Sequence, residues 1–141
     1  MAAVARCLAD TSALARVRQA PVDAVISPLI EAGLIATCAV IELEVLWSTR
    51  SVAEYDERQS DRAAAFEWLN IEDVDGRRAI DVQRELWAAG KMRSVPLPDL
   101  LIAAVAERHR VTLLHYDGDY DAIAEVTGQR VEWVVPRGSV P

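Results

Sequence analysis

Four short apolar runs, separated by longer segments of helical character, constrain the fold of this chain more than any other feature. They read VARCLAD (4–10), LIATCAV (34–40), VTLLHY (111–116) and RVEWVV (130–135). Short apolar runs of this kind are typical of strands that are buried on both faces of a sheet. Strands that alternate with helices predict an α/β fold, in which a small, mostly parallel sheet is flanked by helices.

The segments between these runs carry helix signals. Predicted helices cover residues 12–19, 21–33, 41–51, 52–70, 77–90, 99–110 and 120–128. Pro21 suits the first turn of the second helix, and Gly33 suits its end. Residues 52–70 carry an imperfect apolar stripe among charged residues, which indicates a helix on the surface. Residues 99–110 begin almost entirely apolar, which predicts a buried, central helix.

Length, composition and charge narrow the possible classes. The chain has 141 residues, and we predict a single domain over residues 1–141. No run approaches the ~18 apolar residues of a membrane span. The first residues lack the basic region and cleavage site of a signal peptide, so we expect a cytoplasmic protein. The net charge of −7 disfavours non-specific nucleic-acid binding and fits a protein that binds cations or a basic partner.

Acidic residues follow three of the predicted strands and open the central helix. Asp10 follows the first strand, and Glu44 lies shortly after the second. Asp117 and Asp119 follow the third strand, and Asp99 begins the helix. The aspartates are each also explained, taken alone, as a helix N-cap or a turn residue, whereas Glu44 lies among apolar neighbours, which is unusual for a surface carboxylate. Because the carboxyl ends of parallel strands meet at one edge of a sheet, we expect these acids to converge there.

A site made only of carboxylate oxygens, without histidine or thiolate, suits hard cations such as Mg²⁺ or Mn²⁺. The sequence does not match other cation-binding motifs. A calcium loop of the EF-hand type that began at Asp117 would need Gly at position 122 and Glu at 128, where the chain has Ala122 and Gly128. No phosphate-binding glycine loop occurs.

Three segments carry a resemblance to a known family. LADTSAL (8–14), PDLLIAA (98–104) and HYDGDYD (115–121) resemble the corresponding motifs of PIN-domain ribonucleases, in particular the VapC toxins of bacterial toxin–antitoxin pairs. The likeness runs from Asp10 to Trp133. It implies a PIN-like three-layer sandwich and a metal-dependent endoribonuclease, which would cleave RNA with water activated by one or two Mg²⁺ or Mn²⁺ ions.

The resemblance also implies which acids form the site. Asp10 would be the first acid, and Asp99 the third. The second falls in the segment IELE, where we place it at Glu44 and where Glu42 remains possible.

The fourth acid would be Asp117 or Asp119, since family members differ over which of the two matters more. Thr11 and Ser12 match the polar residues beside the first acid, and would orient it or a bound water. Arg93 would contact a phosphate of the substrate.

A VapB-type antitoxin is the partner that the resemblance implies. Its tail commonly occupies the acidic groove and presents a basic residue to the acids, and the toxins are usually homodimers. Two other classes stay open. The first is a catalytically silent module that keeps the fold and binds RNA or a partner, although the full set of acids disfavours it. The second is a phosphatase with an aspartyl nucleophile, which usually has a further acid two residues after the first, where this chain has Ser12.

Overall fold

The computed structural model describes residues 2–141, with the backbone but not the side chain of Arg93. Five strands form one sheet in the order β3-β2-β1-β4-β5, and every neighbouring pair is parallel. The strands are β1 (Cys7–Ala9), β2 (Ile35–Thr37), β3 (Glu67–Trp68), β4 (Thr112–His115) and β5 (Val131–Trp133). The α/β class predicted from the alternation of apolar runs and helical segments is confirmed.

Seven α-helices connect and cover the strands within the described residues. They are α1 (Thr11–Leu14), α2 (Ala20–Glu31), α3 (Ala39–Leu46), α4 (Val52–Ala65), α5 (Asp73–Ala88), α6 (Leu97–His109) and α7 (Asp119–Thr127). A short 3₁₀ turn at Met92–Ser94 precedes α6. Across residues 2–141, none of the helices combines the length and the apolar character that crossing a membrane requires.

Apolar side chains fill both sides of the sheet. Leu8 and Leu113 belong to the cluster that α5, α6 and α7 cover. Ala9 and Leu114, one residue further along each strand, belong to the cluster on the opposite face, beneath α2. Successive side chains of a strand point to opposite faces, so this division places helices on both sides and gives three layers.

Helix α6 is the central helix that the sequence predicts. Ile102, Ala103, Val105 and Ala106 are all buried there. The first turn of α6 contains Asp99, and this carboxylate therefore enters a region with little water.

The predicted helix over 52–70 is wrong at its end, because it stops at Ala65 and β3 follows. Strand β3 is a two-residue edge strand, too short and too polar to produce an apolar run. The carboxylate of Glu67 accepts hydrogen bonds from the backbone N–H groups of Val4 and Ala5 at 3.0 and 3.1 Å. Long-range contacts of this kind fix the strand, and local sequence does not reveal them.

Three other helices differ from the prediction by more than two residues at one end. The helix predicted over 41–51 ends at Leu46. The first helix ends at Leu14, and the bonds of Arg16 and Val17 reach back only three residues, to the carbonyls of Ala13 and Leu14. Helix α5 begins at Asp73 instead of at residue 77. Its start is fixed by Asp75, whose Oδ2 accepts the Glu72 backbone N–H at 2.9 Å.

Candidate active site

Asp10 is held in place through both of its carboxylate oxygens. Asp10 directly follows β1 and is the N-cap of α1. Its Oδ2 accepts the Ser12 backbone N–H at 3.0 Å. Its Oδ1 accepts the Tyr120 hydroxyl at 2.7 Å. Only 5% of Asp10 is exposed. Such bonds satisfy the oxygens of a buried carboxylate and fix its direction.

Asp99 lies opposite, in the first turn of α6, and is buried. Burial, followed by repulsion from Asp10, Asp117, Glu44 and Asp119, raises the pKa of Asp99 to about 7. The carboxyl group is therefore about half protonated at pH 7 while no cation is bound. Burial makes the largest contribution to this shift, and the neighbouring acids add to it.

Asp117 and Asp119 lie on the turn that joins β4 to α7. The backbone N–H of Asp119 donates to Asp117 Oδ1 at 2.9 Å, and the backbone N–H of Asp117 donates to His115 Nδ1 at 3.1 Å. Burial and the neighbouring Asp117 carboxylate raise the pKa of Asp119. The turn thus holds two carboxylates together although they repel each other.

The two candidate acids of α3 have different surroundings. Glu42 accepts hydrogen bonds from Arg62 at 2.7 to 2.9 Å and from the Thr37 hydroxyl at 2.6 Å. Partial burial and repulsion from Asp10 raise the pKa of Glu44, although the residue as a whole is exposed. Positions two apart on a helix face in different directions, so the structure brings Glu44 towards the other acids and ties Glu42 to an arginine.

Asp99, Asp117 and Asp119 satisfy the geometric requirement of a cation site. Each offers a carboxylate oxygen, and these oxygens lie within 4.8 Å of one another. An all-oxygen set of this charge suits Mg²⁺ or Mn²⁺. A cation here would also relieve the repulsion that raises the pKa of Asp99. The residues present therefore fit the metal that the sequence predicts.

Thr11, Ser12 and Arg93 are the other residues that the sequence predicts for the site. The Ser12 hydroxyl accepts the Tyr116 backbone N–H at 3.0 Å, so it connects α1 to the end of β4. The Thr11 hydroxyl is buried beside Asp10 and has no hydrogen-bond partner among the residues that the structure describes. The side chain of Arg93 lies outside the described part of the chain.

Tyr120 and His115 contribute to the site, and sequence reasoning did not assign them this role. Both are fully buried. Burial and the neighbouring acids raise the pKa of Tyr120, so its hydroxyl stays protonated and donates to Asp10. Burial lowers the pKa of His115, and the neutral ring accepts from the backbone of Asp117. The only sign of this role in the sequence is that an aromatic residue, Tyr120, follows Asp119. That position does not reveal the contact with Asp10.

The family model of the PIN domain matches residues 7–126 of the chain. Two ribonucleases of Mycobacterium tuberculosis resemble it over nearly their whole length. Ribonuclease VapC51 is 41% identical over 133 residues, which cover 94% of this chain and 96% of the relative. Ribonuclease VapC21 is 42% identical over 134 residues, which cover 95% of this chain and 97% of the relative.

Solved structures share the fold. The DNA-bound VapBC of Salmonella typhimurium superposes with a TM-score of 0.73 at 12% identity, and the match covers 94% of this chain and 100% of that chain. The VapBC2 of Rickettsia felis, bound to a DNA fragment from its promoter, superposes with a TM-score of 0.71 at 14% identity, covering 89% and 96%. The three-layer arrangement with a parallel sheet is thus that of the VapC structures.

The raised pKa of Asp99 predicts a pH-dependent stability penalty in metal-free protein. Below the unfolded value near ~4, both states are protonated and the penalty is zero. Between about pH 4 and 7 the unfolded state loses its proton while the folded state keeps it, so the free energy of unfolding falls. We expect Asp99→Asn to remove this fall. One pKa unit corresponds to about 1.4 kcal/mol, and solvent screens part of the repulsion, so the variant should gain about 1–2 kcal/mol at pH 7.

Urea unfolding in EDTA between pH 4 and 8 measures this difference. Asp56→Asn, a change to an exposed acid on α4, serves as the control and should follow the parent at every pH. If Asp99→Asn is less stable than the parent at pH 7, or differs from it equally at all pH values, the pKa of Asp99 is not raised in the folded protein.

Proposed function

Because the chain belongs to the PIN-domain family and, within it, to the VapC ribonucleases, we propose that it is a metal-dependent endoribonuclease. The observation that carries the proposal is the acidic cluster at the carboxyl edge of the sheet. Burial, together with repulsion from the carboxylates that follow β1 and β4, raises the pKa of Asp99 in α6 to about 7. Such a concentration of charge favours a divalent cation and, through it, a phosphodiester.

Asp99, Asp117 and Asp119 would hold the cation, with Asp10 and Glu44 beside them. A bound Mg²⁺ or Mn²⁺ supplies Lewis acidity, which lowers the pKa of water and neutralises the charge that develops on the phosphate. We take either ion as the cofactor, because oxygen ligands suit both.

The chain's own residues orient the site and move a proton. The Tyr120 hydroxyl and the Ser12 backbone keep Asp10 aimed into the cluster. Glu44 lies at the open side, and its raised pKa suits a group that accepts the proton of the attacking water. In that reaction the water oxygen bonds to phosphorus, and the bond to the 3′ oxygen breaks. The products are a 5′-phosphate and a 3′-hydroxyl.

We expect total RNA to be cleaved in Mg²⁺ or Mn²⁺ with these ends. Glu44→Gln removes the proton acceptor and should slow cleavage roughly 100-fold or more. Glu42→Gln is the matched control on the same helix. It weakens the contact with Arg62, so we expect a lower melting temperature and cleavage within a few-fold of the parent.

Sequencing of the fragment ends, beside rates for both variants, tests the mechanism. Cyclic 2′,3′-phosphate ends would mean that the ribose hydroxyl attacks instead of water. Full activity in excess EDTA would exclude the metal. Equal losses in Glu42→Gln and Glu44→Gln, measured where both variants are folded, would contradict the role of Glu44.

The two other classes have less support. A silent binding module requires no cluster of acids, yet the described residues contain every acid that the resemblance implies. A phosphatase with an aspartyl nucleophile lacks its second acid, because position 12 is Ser12 and its hydroxyl accepts the Tyr116 backbone.

We also propose that a VapB-type antitoxin covers the site. Similar solved structures are toxin–antitoxin complexes, from Rickettsia felis and Klebsiella pneumoniae among others. An apolar cavity of about 390 Å³ opens between α3, α4 and β3, lined by Leu43, Tyr55, Phe66 and Trp68 among others. Leu43 directly precedes Glu44, so a partner with an apolar segment and a basic tail would occupy the cavity and reach the acids.

In a co-purified complex we expect cleavage of RNA to be inhibited and the acids to be shielded. Carbodiimide labelling reports the exposure of Glu44, which should be modified in the free chain and protected in the complex. A complex that cleaves RNA as fast as the free chain, with Glu44 still labelled, would contradict this partner role.

We also propose that the chain forms a homodimer, as the resemblance implies. The molar mass from light scattering would test this oligomeric state. An RNA-cleaving toxin acts where its RNA targets are, so we expect it in the cytoplasm.

A further inference from the structure

Arg137 lies beside the acidic turn but outside the region that matches the PIN family model, which ends at residue 126. Its guanidinium atoms lie 3.5 to 3.6 Å from the point where a Cβ on Gly118 would stand. The same group lies over the ring of Trp133, 5.5 Å from the centroid. Gly118 separates Asp117 from Asp119, so an arginine packs directly on the turn that carries two of the site's acids.

The segment that carries Arg137 is anchored on both sides. Before it, the backbone N–H of Val134 donates to the His115 carbonyl at 2.8 Å. After it, the Tyr116 hydroxyl donates to the Val140 carbonyl at 2.8 Å, and Arg16 Nε donates to the Pro141 carbonyl at 3.0 Å. These contacts fix the path of the backbone past Gly118 and so bring Arg137 to the acidic turn.

Among the residues that the structure describes, Arg137 forms no ion pair. No carboxylate oxygen of the described residues lies within 4.0 Å of its guanidinium, although Asp117 and Asp119 flank the glycine beneath it, and the side chain is exposed. A guanidinium that packs on an aromatic ring without an ion pair still offers its N–H groups to a bidentate acceptor. Phosphate oxygens are such acceptors.

We propose that Arg137 is a substrate-binding residue, which holds a phosphate of the RNA strand next to the one that is cleaved. This inference rests on the proposed ribonuclease function. An RNA strand that enters a cluster of carboxylates on a chain of net charge −7 meets repulsion, and a fixed cation at the rim offsets it. The guanidinium packs against Trp133 and Gly118. Such contacts limit the motion of a long side chain that would otherwise lose more entropy on binding.

The test compares Arg137→Ala with Arg130→Ala. Both variants remove one exposed arginine and change the net charge equally, but Arg130 precedes the amino end of β5, opposite to the site. The probe is a short, fluorescein-labelled single-stranded RNA of mixed sequence, and anisotropy in EDTA gives its affinity at several salt concentrations. Cleavage of total RNA in Mn²⁺ is measured beside it, and thermal melts show that each variant is folded.

We expect Arg137→Ala to weaken RNA binding roughly tenfold, as the loss of one charge-assisted contact predicts. The slope of log affinity against log salt should fall by about 0.7, which corresponds to one phosphate of a single strand. Cleavage should slow by a similar factor. Arg137→Lys keeps the charge but not the flat stacking surface, so it should fall between the parent and Arg137→Ala. Arg130→Ala should match the parent within about twofold, since it makes no contact of this kind.

Equal effects of Arg137→Ala and Arg130→Ala on an RNA that the parent binds and cleaves would overturn this inference alone. A parent that neither binds nor cleaves RNA would overturn the proposed function, and this inference with it. If Arg137→Ala weakened binding of the co-purified antitoxin and left RNA affinity unchanged, the arginine would serve the protein partner and the inference would be wrong.

Discussion

The mutual repulsion of carboxylates at one edge of the sheet is the constraint on which the rest of this structure depends. Asp99 is buried against Asp10 and Asp117, and its pKa rises to about 7 as a result. The fold opposes this repulsion with a small number of fixed donors. The Tyr120 hydroxyl and the Ser12 backbone bind Asp10, while Asp99 and Asp119 lie in the first turns of α6 and α7, where the helix dipole favours negative charge.

Two acids outside the cluster that have little exposure are paired with arginines. Glu42 contacts Arg62 at 2.7 Å, and the buried Asp75 contacts Arg108 at 2.8 Å. Burial raises the pKa of Asp75, but the hydrogen bonds from Arg108 and from the Glu72 backbone outweigh it, and the net pKa is lowered. The pKa of Asp75 is lowered, whereas that of Asp99 is raised. The first shift is typical of an acid that stabilises the fold, and the second is typical of an acid that is available to bind a cation.

The sequence predicts the sheet and the cluster because both follow from local patterns. Apolar runs indicate the interior strands, and parallel strands bring the residues after them to one edge, so Asp10, Asp99 and Asp117 were expected together. Strand β3 escaped prediction because an edge strand of two residues has no apolar run. The position of such an edge strand depends on contacts between distant parts of the chain.

The roles of the α3 acids and of the aromatic residues could not be predicted for the same reason. Whether Glu42 or Glu44 faces the cluster depends on Arg62, which is 20 residues away. The bond between Tyr120 and Asp10 spans 110 residues, and the bond that anchors the chain end to Arg16 spans 125. Periodicity and spacing carry no information about such pairs.

Thermal melting with and without Mn²⁺ tests most directly whether the converging acids form a cation site. A ligand at one hundred times its dissociation constant stabilises the folded state by about 2.7 kcal/mol, which should raise the melting temperature of the parent by several degrees. The increase should largely disappear in Asp117→Asn and persist in Asp56→Asn, which lies outside the cluster. An equal increase in the parent and in Asp117→Asn would contradict the assignment of the site.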